Sequence, residues 1–375
     1  MPRPRVDAAG AQVDPVTRGM RPMPERWTEM ARSRTVFSLS LVLAIALVAL
    51  VVGVVGGRAT SSGSAGGGGG SGGAASGQKI DVIIRANDSA FWQTMLAGGE
   101  KAGQDFGIQI GKFGPTSETN IDEQVQLVEN SVSRGVKGIV ISPGSNTALN
   151  SSIDAARKAG IKVIVADNKV TTAVDGFIGT NNVTAGEMAG RRMCDLLTEK
   201  GKTSGKVFIE SSVAGIQVLL DRDTGFRSGL AEKCPNVNAT LESYNNNDIG
   251  TAASQVNDAI SANPDLVGVF ADNNSSGVGA ATAIQDNKAA DRIPVVAFDS
   301  DPKENAALAA GTIDALIVQN PFFFGYQGVI EAAMATQGGI PPASIDPGAV
   351  IADKDNMNDP DVKALLEPPT AQAGG

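Results

Sequence analysis

KVIVADNK, residues 162–169, is a short β-branched apolar run that ends in an acid and an amide. The same form returns as IDVII (80–84), GIVIS (138–142), KVFIE (206–210), LVGVFAD (266–272), PVVAFD (294–299) and DALIVQ (314–319). Longer amphipathic segments lie between the runs. Phe91, Met95, Ala102 and Phe106, then Ile121, Val125, Val128 and Val132, form two apolar stripes at the helical period. Strands apolar on both faces that alternate with helices specify an α/β fold, with parallel sheets covered on both sides. The pattern runs for about 280 residues, long for one sheet, so two doubly wound lobes are predicted.

Outward from this body the composition changes. Residues 60–78 are almost wholly Gly, Ser, Ala and Thr. Such a tract buries nothing and reads as a flexible linker with a reach of about 25 Å. Before it, residues 36–57 (VFSLSLVLAIALVALVVGVVGG) carry no charge, and a helix of that length spans a hydrocarbon core. Residues 1–35 hold seven Arg against four acids. That bias keeps them cytoplasmic and exports the rest. The apolar run exceeds the usual signal-peptide core, which favours an uncleaved anchor over a cleaved leader. The expected organisation is a disordered cytoplasmic tail (1–35), a transmembrane helix or signal segment (36–57) and a linker (58–78). An N-terminal lobe (79–181 with 320–346), a C-terminal lobe (182–319 with 347–358) and a disordered tail (359–375) complete it.

Several function classes are excluded early. The net charge is −9, and because residues 1–35 carry +3, the remainder carries −12. An acidic body repels phosphate backbones, so no nucleic-acid partner is expected. The chain has no His, which removes the commonest general base and metal ligand. Two Cys without a CxxC spacing argue against zinc. No GxGxxG follows the first strand and no P-loop is present, so neither an enzyme nor a cofactor is expected. In an exported compartment Cys194 and Cys234, in or just after consecutive predicted helices, are expected to form a disulfide.

In doubly wound folds ligands bind at the carboxyl ends of the strands. There the sequence places Arg85 with Asn87, Asp88 and Ser89, then Ser142, Asp167 with Asn168, Asp272 with Asn273 and Asn274, Asp299, and Gln319 with Asn320. Each alone reads equally as a helix cap or turn. Six strands ending in this way point to a site. Carboxylates accept from vicinal hydroxyls while Asn, Gln and Arg donate, a mixture that suits a carbohydrate. Trp92 offers an aromatic face to a sugar's C–H side, whereas Phe91 opens the helical stripe and reads as core.

With these residues in place, the body from about 79 to 352 resembles the ribose-binding-protein family of periplasmic sugar receptors. RANDSAFW (85–92) is similar to the family's first ligand loop, which ends in two aromatics, here Phe91 and Trp92. KVIVADNK resembles its Asp-Arg ligand pair, with Asn168 in place of the Arg. LLDRDTGF (219–226) aligns a ligand Arg with Arg222, and YNNND (244–248) puts Asn247 where a second stacking aromatic belongs. VFADNN, VVAFDSDP and IVQNP supply Asn273, Asp299 and Gln319.

The resemblance implies a type I periplasmic binding protein: two lobes joined by three crossings, near 180–182, 319–321 and 345–348, that close on a ligand. It also implies a monomer read by an ABC permease and its ATPase. Arg85 replaces a small polar residue and Asn247 an aromatic, so ribose itself is not the expected ligand. Two Arg against Asp167 and Asp299 make the pocket neutral or, with Asp88, negative. Arg85 is therefore expected to pair with Asp88 or Asp299, and the ligand to be a neutral sugar or sugar alcohol. The alternatives are a membrane-anchored sugar sensor and a receptor for an anionic sugar derivative.

Overall fold

The computed structural model describes residues 77–369. The expected tail, membrane segment and most of the linker therefore lie outside the described residues. Among the described residues no helix is long and apolar enough to cross a membrane.

The first sheet contains β1 (Lys79–Ile83), β2 (Gln109–Phe113), β3 (Gly138–Ile141), β4 (Lys162–Ala166) and β5 (Gly176–Ile178). Its order is β2-β1-β3-β4-β5, and every pairing is parallel. The connecting helices are α1 (Ala90–Phe106), α2 (Ile121–Arg134) and α3 (Asn150–Lys158). β1, β3 and β4 sit centrally and are buried on both faces apart from their first residues or so, as their largely apolar runs require. Two apolar clusters flank the sheet. One gathers Val82, Val140 and Ile164 against α1, and the other gathers Ile83, Ile139 and Val163 against α2 and α3.

The second sheet contains β6 (Gly205–Ser211), β7 (Val237–Tyr244), β8 (Leu266–Ala271), β9 (Val295–Phe298), β10 (Ala315–Val318) and β11 (Val350–Ala352), in the order β11-β10-β9-β8-β6-β7. Only β11 runs antiparallel, pairing Ile351 with Ile317. Around it lie α4 (Asn182–Glu199), α5 (Gln217–Lys233), α6 (Ile249–Ala262), α7 (Asn274–Asp286) and α8 (Pro302–Ala310). A further helix, α9 (Pro321–Thr336), returns to the first sheet and packs on α1.

The chain passes between the sheets three times. It leaves β5 for α4 through 179–181, leaves β10 for α9 through 319–320, and leaves the Ile178–Ile345 bridge for β11 through 346–349. Asp346 ties two of these strands together. Its carboxylate accepts from the backbone N–H of Asn181 at 3.3 Å and of Gly348 at 2.8 Å.

Each lobe also contains helices in backbone-to-backbone contact. A Cβ placed at Gly325 of α9 would lie 1.9 Å from the Met95 carbonyl of α1, and one at Gly225 of α5 would lie 2.1 Å from the Val183 carbonyl of α4. Only glycine permits that approach.

Cys194, on α4, and Cys234, at the end of α5, are joined by a disulfide with their Cα atoms 5.8 Å apart. One expectation needs correction. Residues 359–375 do not begin as a disordered tail: Pro360–Leu366 form a helix, α10. Its Leu366 is buried, and Val362 and Leu365 pack beside it on the second lobe's core. Proline at the first helical position and the Val362–Leu365–Leu366 spacing account for this.

Candidate functional site

The carboxyl ends of both sheets face one cleft, lined by polar and apolar side chains from both lobes. Arg85, Ser89, Phe91, Trp92, Glu118 and Asp167 line it from the first lobe. Ser212, Val218, Leu219, Arg222, Asn247, Asn273, Asn274, Ser275 and Asp299 line it from the second.

Two aspartates set the frame. Asp167 directly follows β4 and Asp299 directly follows β9, and both have left-handed backbones, with φ of 64° and 77°. Asp tolerates this region better than most residues, but it still carries strain, and such strain gathers at functional sites. The turn lifts each carboxylate over the end of its sheet. Each lobe then pairs its own aspartate with its own arginine. Arg85 Nη2 donates to Asp167 Oδ2 at 2.6 Å, and Arg222 Nη1 stands 4.0 Å from Asp299 Oδ2. All four side chains are buried.

Arg222 is fixed from three sides. Its Nε donates to Asn182 Oδ1 at 2.9 Å, its Nη1 donates to the Asp272 carbonyl at 2.8 Å, and its guanidinium lies over the Phe298 ring. Asp299 Oδ1 accepts from Gln319 Nε2 at 2.7 Å. Burial pushes the Asp299 carboxyl above the usual carboxylate range, against the opposing pull of Arg222.

The expected partner of Arg85 was wrong. It pairs with Asp167, with Glu118 Oε2 3.9 Å from its Nη1, and not with Asp88 or Asp299. The first strand's edge lies beside β4 through β3, so Asp167 is on its own lobe whereas Asp299 belongs to the other. Trp92 is less free than a simple stacking platform. The Arg85 guanidinium sits 4.9 Å from its ring centroid, Phe91 meets it edge-on, and its indole N–H donates to Glu118 Oε1 at 2.6 Å. Phe91 both packs in the core and reaches the cleft.

Asn247 and Asn273 form a polar wall where an aromatic could have stood. Asn273 Nδ2 donates to Asn247 Oδ1 at 2.9 Å, while its own Oδ1 caps α7 through the Ser276 N–H. The capping and site readings of Asn273 thus hold together. Asn168 and Gln319 do not line the cleft. Asn168 is fully buried and donates to the Pro143 carbonyl, holding the loop after β3 against that after β4. Gln319 acts through Asp299. Sequence reasoning missed Glu118, Ser212, Ser275, Val218 and Leu219, whereas Asn274, read at the end of its strand, does line the cleft. Recognising Gln109–Phe113 as a strand would have directed attention to Glu118 in the loop after it.

Two parallel-sheet lobes, joined by three strands and facing each other across a polar cleft, define a hinged ligand-binding protein. The chain belongs to the periplasmic binding protein domain family, whose model matches residues 80–340. It is 28% identical over 266 residues to the ribose import binding protein RbsB of Salmonella typhimurium, covering 71% of this chain and 87% of that one. A carbohydrate transporter solute-binding protein from Agrobacterium radiobacter, solved with D-arabinose, superposes with a TM-score of 0.75 at 34% identity, covering 77% of this chain and 99% of that one. An ABC transporter solute-binding protein from Agrobacterium vitis, solved with α-D-tagatopyranose, gives 0.73 at 31% identity, covering 79% and 100%.

Proposed function

We propose that this protein is the solute-binding receptor of an ABC-type importer and that it captures a neutral monosaccharide or sugar alcohol by closing its lobes around it. One observation carries the reading. Each lobe presents a buried aspartate on a left-handed turn, paired with its own arginine, to the same cleft. A ligand with hydroxyls on both sides can bridge the two sets and bias an open–closed equilibrium. Membership of the family and the sugars bound by the Agrobacterium proteins support it.

In this reading Arg85, Ser89, Trp92, Asp167, Arg222, Asn247, Asn273 and Asp299 contact the ligand, with Phe91 behind them. Asn168 and Gln319 act by positioning others. Calorimetric titration and thermal melting against a panel of pentoses, hexoses and polyols test the proposal. A ligand that binds only the folded state raises the melting temperature, and a panel without effect would refute it.

The lining carboxyls outnumber the guanidiniums, three to two, which supports a neutral ligand over an anionic one. Tighter binding of an aldonic acid than of its parent sugar would overturn that choice. The body is proposed to be exported as a monomer, to hang from residues 36–57 and to be read by a permease coupled to an ATPase. The uncharged run of residues 36–57 and the Arg-rich flank before it support the tether. N-terminal sequencing of the membrane fraction checks this, since a start near residue 60 would mean cleavage.

A further inference from the structure

Glu118 was not expected in the site, and its surroundings give it more than a packing role. It stands in the loop between β2 and α2, in a run of small polar residues (TSETN, 116–120) that otherwise reads as solvated turn. Yet the side chain is buried and lines the cleft. Its two oxygens differ. Oε1 accepts from the Trp92 indole N–H at 2.6 Å, whereas Oε2, among the described residues, accepts no hydrogen bond and lies 3.9 Å from Arg85 Nη1. Arg85 is itself committed to Asp167, and its buried Nε has no partner among the described residues. Oε2 is not sealed off: it remains open to the cleft, where a ligand hydroxyl can donate to it.

We propose that Glu118 is a specificity-determining residue of the cleft: Oε2 pairs with one particular ligand hydroxyl while Oε1 fixes the plane of Trp92. This rests on the sugar-receptor reading above and deepens it. Of the charged groups around Glu118, Arg85 attracts it, but at 3.9 Å from Oε2 it makes no hydrogen bond there. Arg85 is shared with Asp167, while Asp167 and Asp299 are both acids and repel it. Burial raises its carboxyl above the usual range, with Arg85 and the Trp92 N–H pulling the other way. A sugar hydroxyl, donor and acceptor at once, satisfies Oε2 in either protonation state. The anchored indole then presents a fixed ring next to that hydroxyl, so one residue sets both a polar and an apolar contact.

The test separates contact from scaffolding. D-arabinose, or the panel sugar that wild-type protein binds most tightly, is titrated together with its monodeoxy analogues into wild type, Glu118→Ala, Trp92→Phe and Glu118→Ala/Trp92→Phe. The expected result is that Glu118→Ala weakens the parent sugar about tenfold or more. One deoxy analogue, the one lacking the partner hydroxyl, should weaken by less than about threefold, and this pattern should survive in the Trp92→Phe background. An equal loss for every analogue, or no loss once Trp92 is replaced, would show that Glu118 merely holds the indole and would overturn the proposal. A parent-sugar loss below about threefold would do the same. Should Glu118→Ala fail to fold, Glu118→Gln keeps an acceptor for Trp92 and exchanges only Oε2, and the same panel decides. Wild-type protein that binds no sugar at all would refute the receptor reading itself, and this role with it.

Discussion

Replacing Asp299 by asparagine tests the cleft at its most exposed assumption, that a strand-end carboxylate holds the ligand. The choice of asparagine matters. Asp299 has φ of 77°, and alanine there would add a backbone cost of about 1–2 kcal/mol, whereas Asn tolerates the region. An Asn oxygen can still accept from Gln319, which now donates to Oδ1 at 2.7 Å. What is lost is the second oxygen, facing Arg222 at 4.0 Å, and its charge. A hydrogen bond to a charged group contributes about 1.5–3 kcal/mol, so losing one such bond predicts roughly 10- to 150-fold weaker binding.

The fold should not suffer. Burial already raises the Asp299 carboxyl, which means that its ionised form works against the folded state. The melting temperature of Asp299→Asn without ligand should therefore be unchanged or higher at pH 7 to 8. Calorimetric titration with D-arabinose, or the tightest panel sugar, gives the affinity, and a melt without ligand gives the stability. A loss below about threefold would show that Asp299 is only a turn residue. A large fall in melting temperature would show that the carboxylate is structural and that the reasoning from burial is wrong.

Three further outcomes are expected. Burial raises Glu210 to about 8 and Glu331 to about 7 from a usual 4.5, and raises Asp223 and Asp272 in the same direction. The folded state therefore holds protons that the unfolded chain releases, stability is fullest below about pH 4.5 in this respect, and it is lost as pH rises through 7 and 8. The melting temperature should be lower at pH 8.5 than at pH 5.5, and a rise would refute the assignment. Gly225→Ala puts a methyl 2.1 Å from the Val183 carbonyl. It should cost about 1–3 kcal/mol or more, seen as a lower midpoint in urea, and an unchanged midpoint would mean that α4 and α5 separate freely. Replacing both Cys194 and Cys234 by Ser opens a 40-residue separation, worth about 4 kcal/mol in the chain-entropy model. An unaltered melt would show that the unfolded state gains nothing from the bridge.

How much of this was legible in the sequence depended on how each strand is covered. β1, β3, β4, β8, β9 and β10 are central or nearly so, and burial on both faces writes them as apolar runs, interrupted in β1 by Asp81, which pairs with Arg134. The edge strands carry no such mark. β2 reads QIGKF and is exposed at two of its five positions, and β7 reads VNATLESY with alternating burial at its start. Alternation over so few residues merges with polar loop. The three-residue β5 and β11 are too short to have a period. Missing β2 had a direct consequence for the site, because Glu118 lies just beyond that strand's carboxyl edge, where the same rule that found Asp167 and Asp299 would have found it.

The failures inside the site have a different cause. Asp167 and Asn168 are adjacent at one strand end, and so were equal candidates. The left-handed backbone at Asp167 breaks the regular alternation there and lifts one side chain into the cleft, while the next turns back to the Pro143 carbonyl. No pattern of residue types encodes which neighbour that turn selects. The Arg85 assignment failed for a related reason. Charge counting gives the sum of a pocket and not its pairing, and pairing is decided by which strands are neighbours. The order β1-β3-β4 puts Arg85 within reach of Asp167 on its own lobe and leaves Asp299 to Arg222 on the other. That division has a functional consequence. Because each lobe neutralises its own aspartate, closing the cleft need not make or break an ion pair between lobes. The free energy of closure is left to the hydroxyls that bridge them, which is the condition under which a bound ligand, rather than the protein's own charges, sets the closed population.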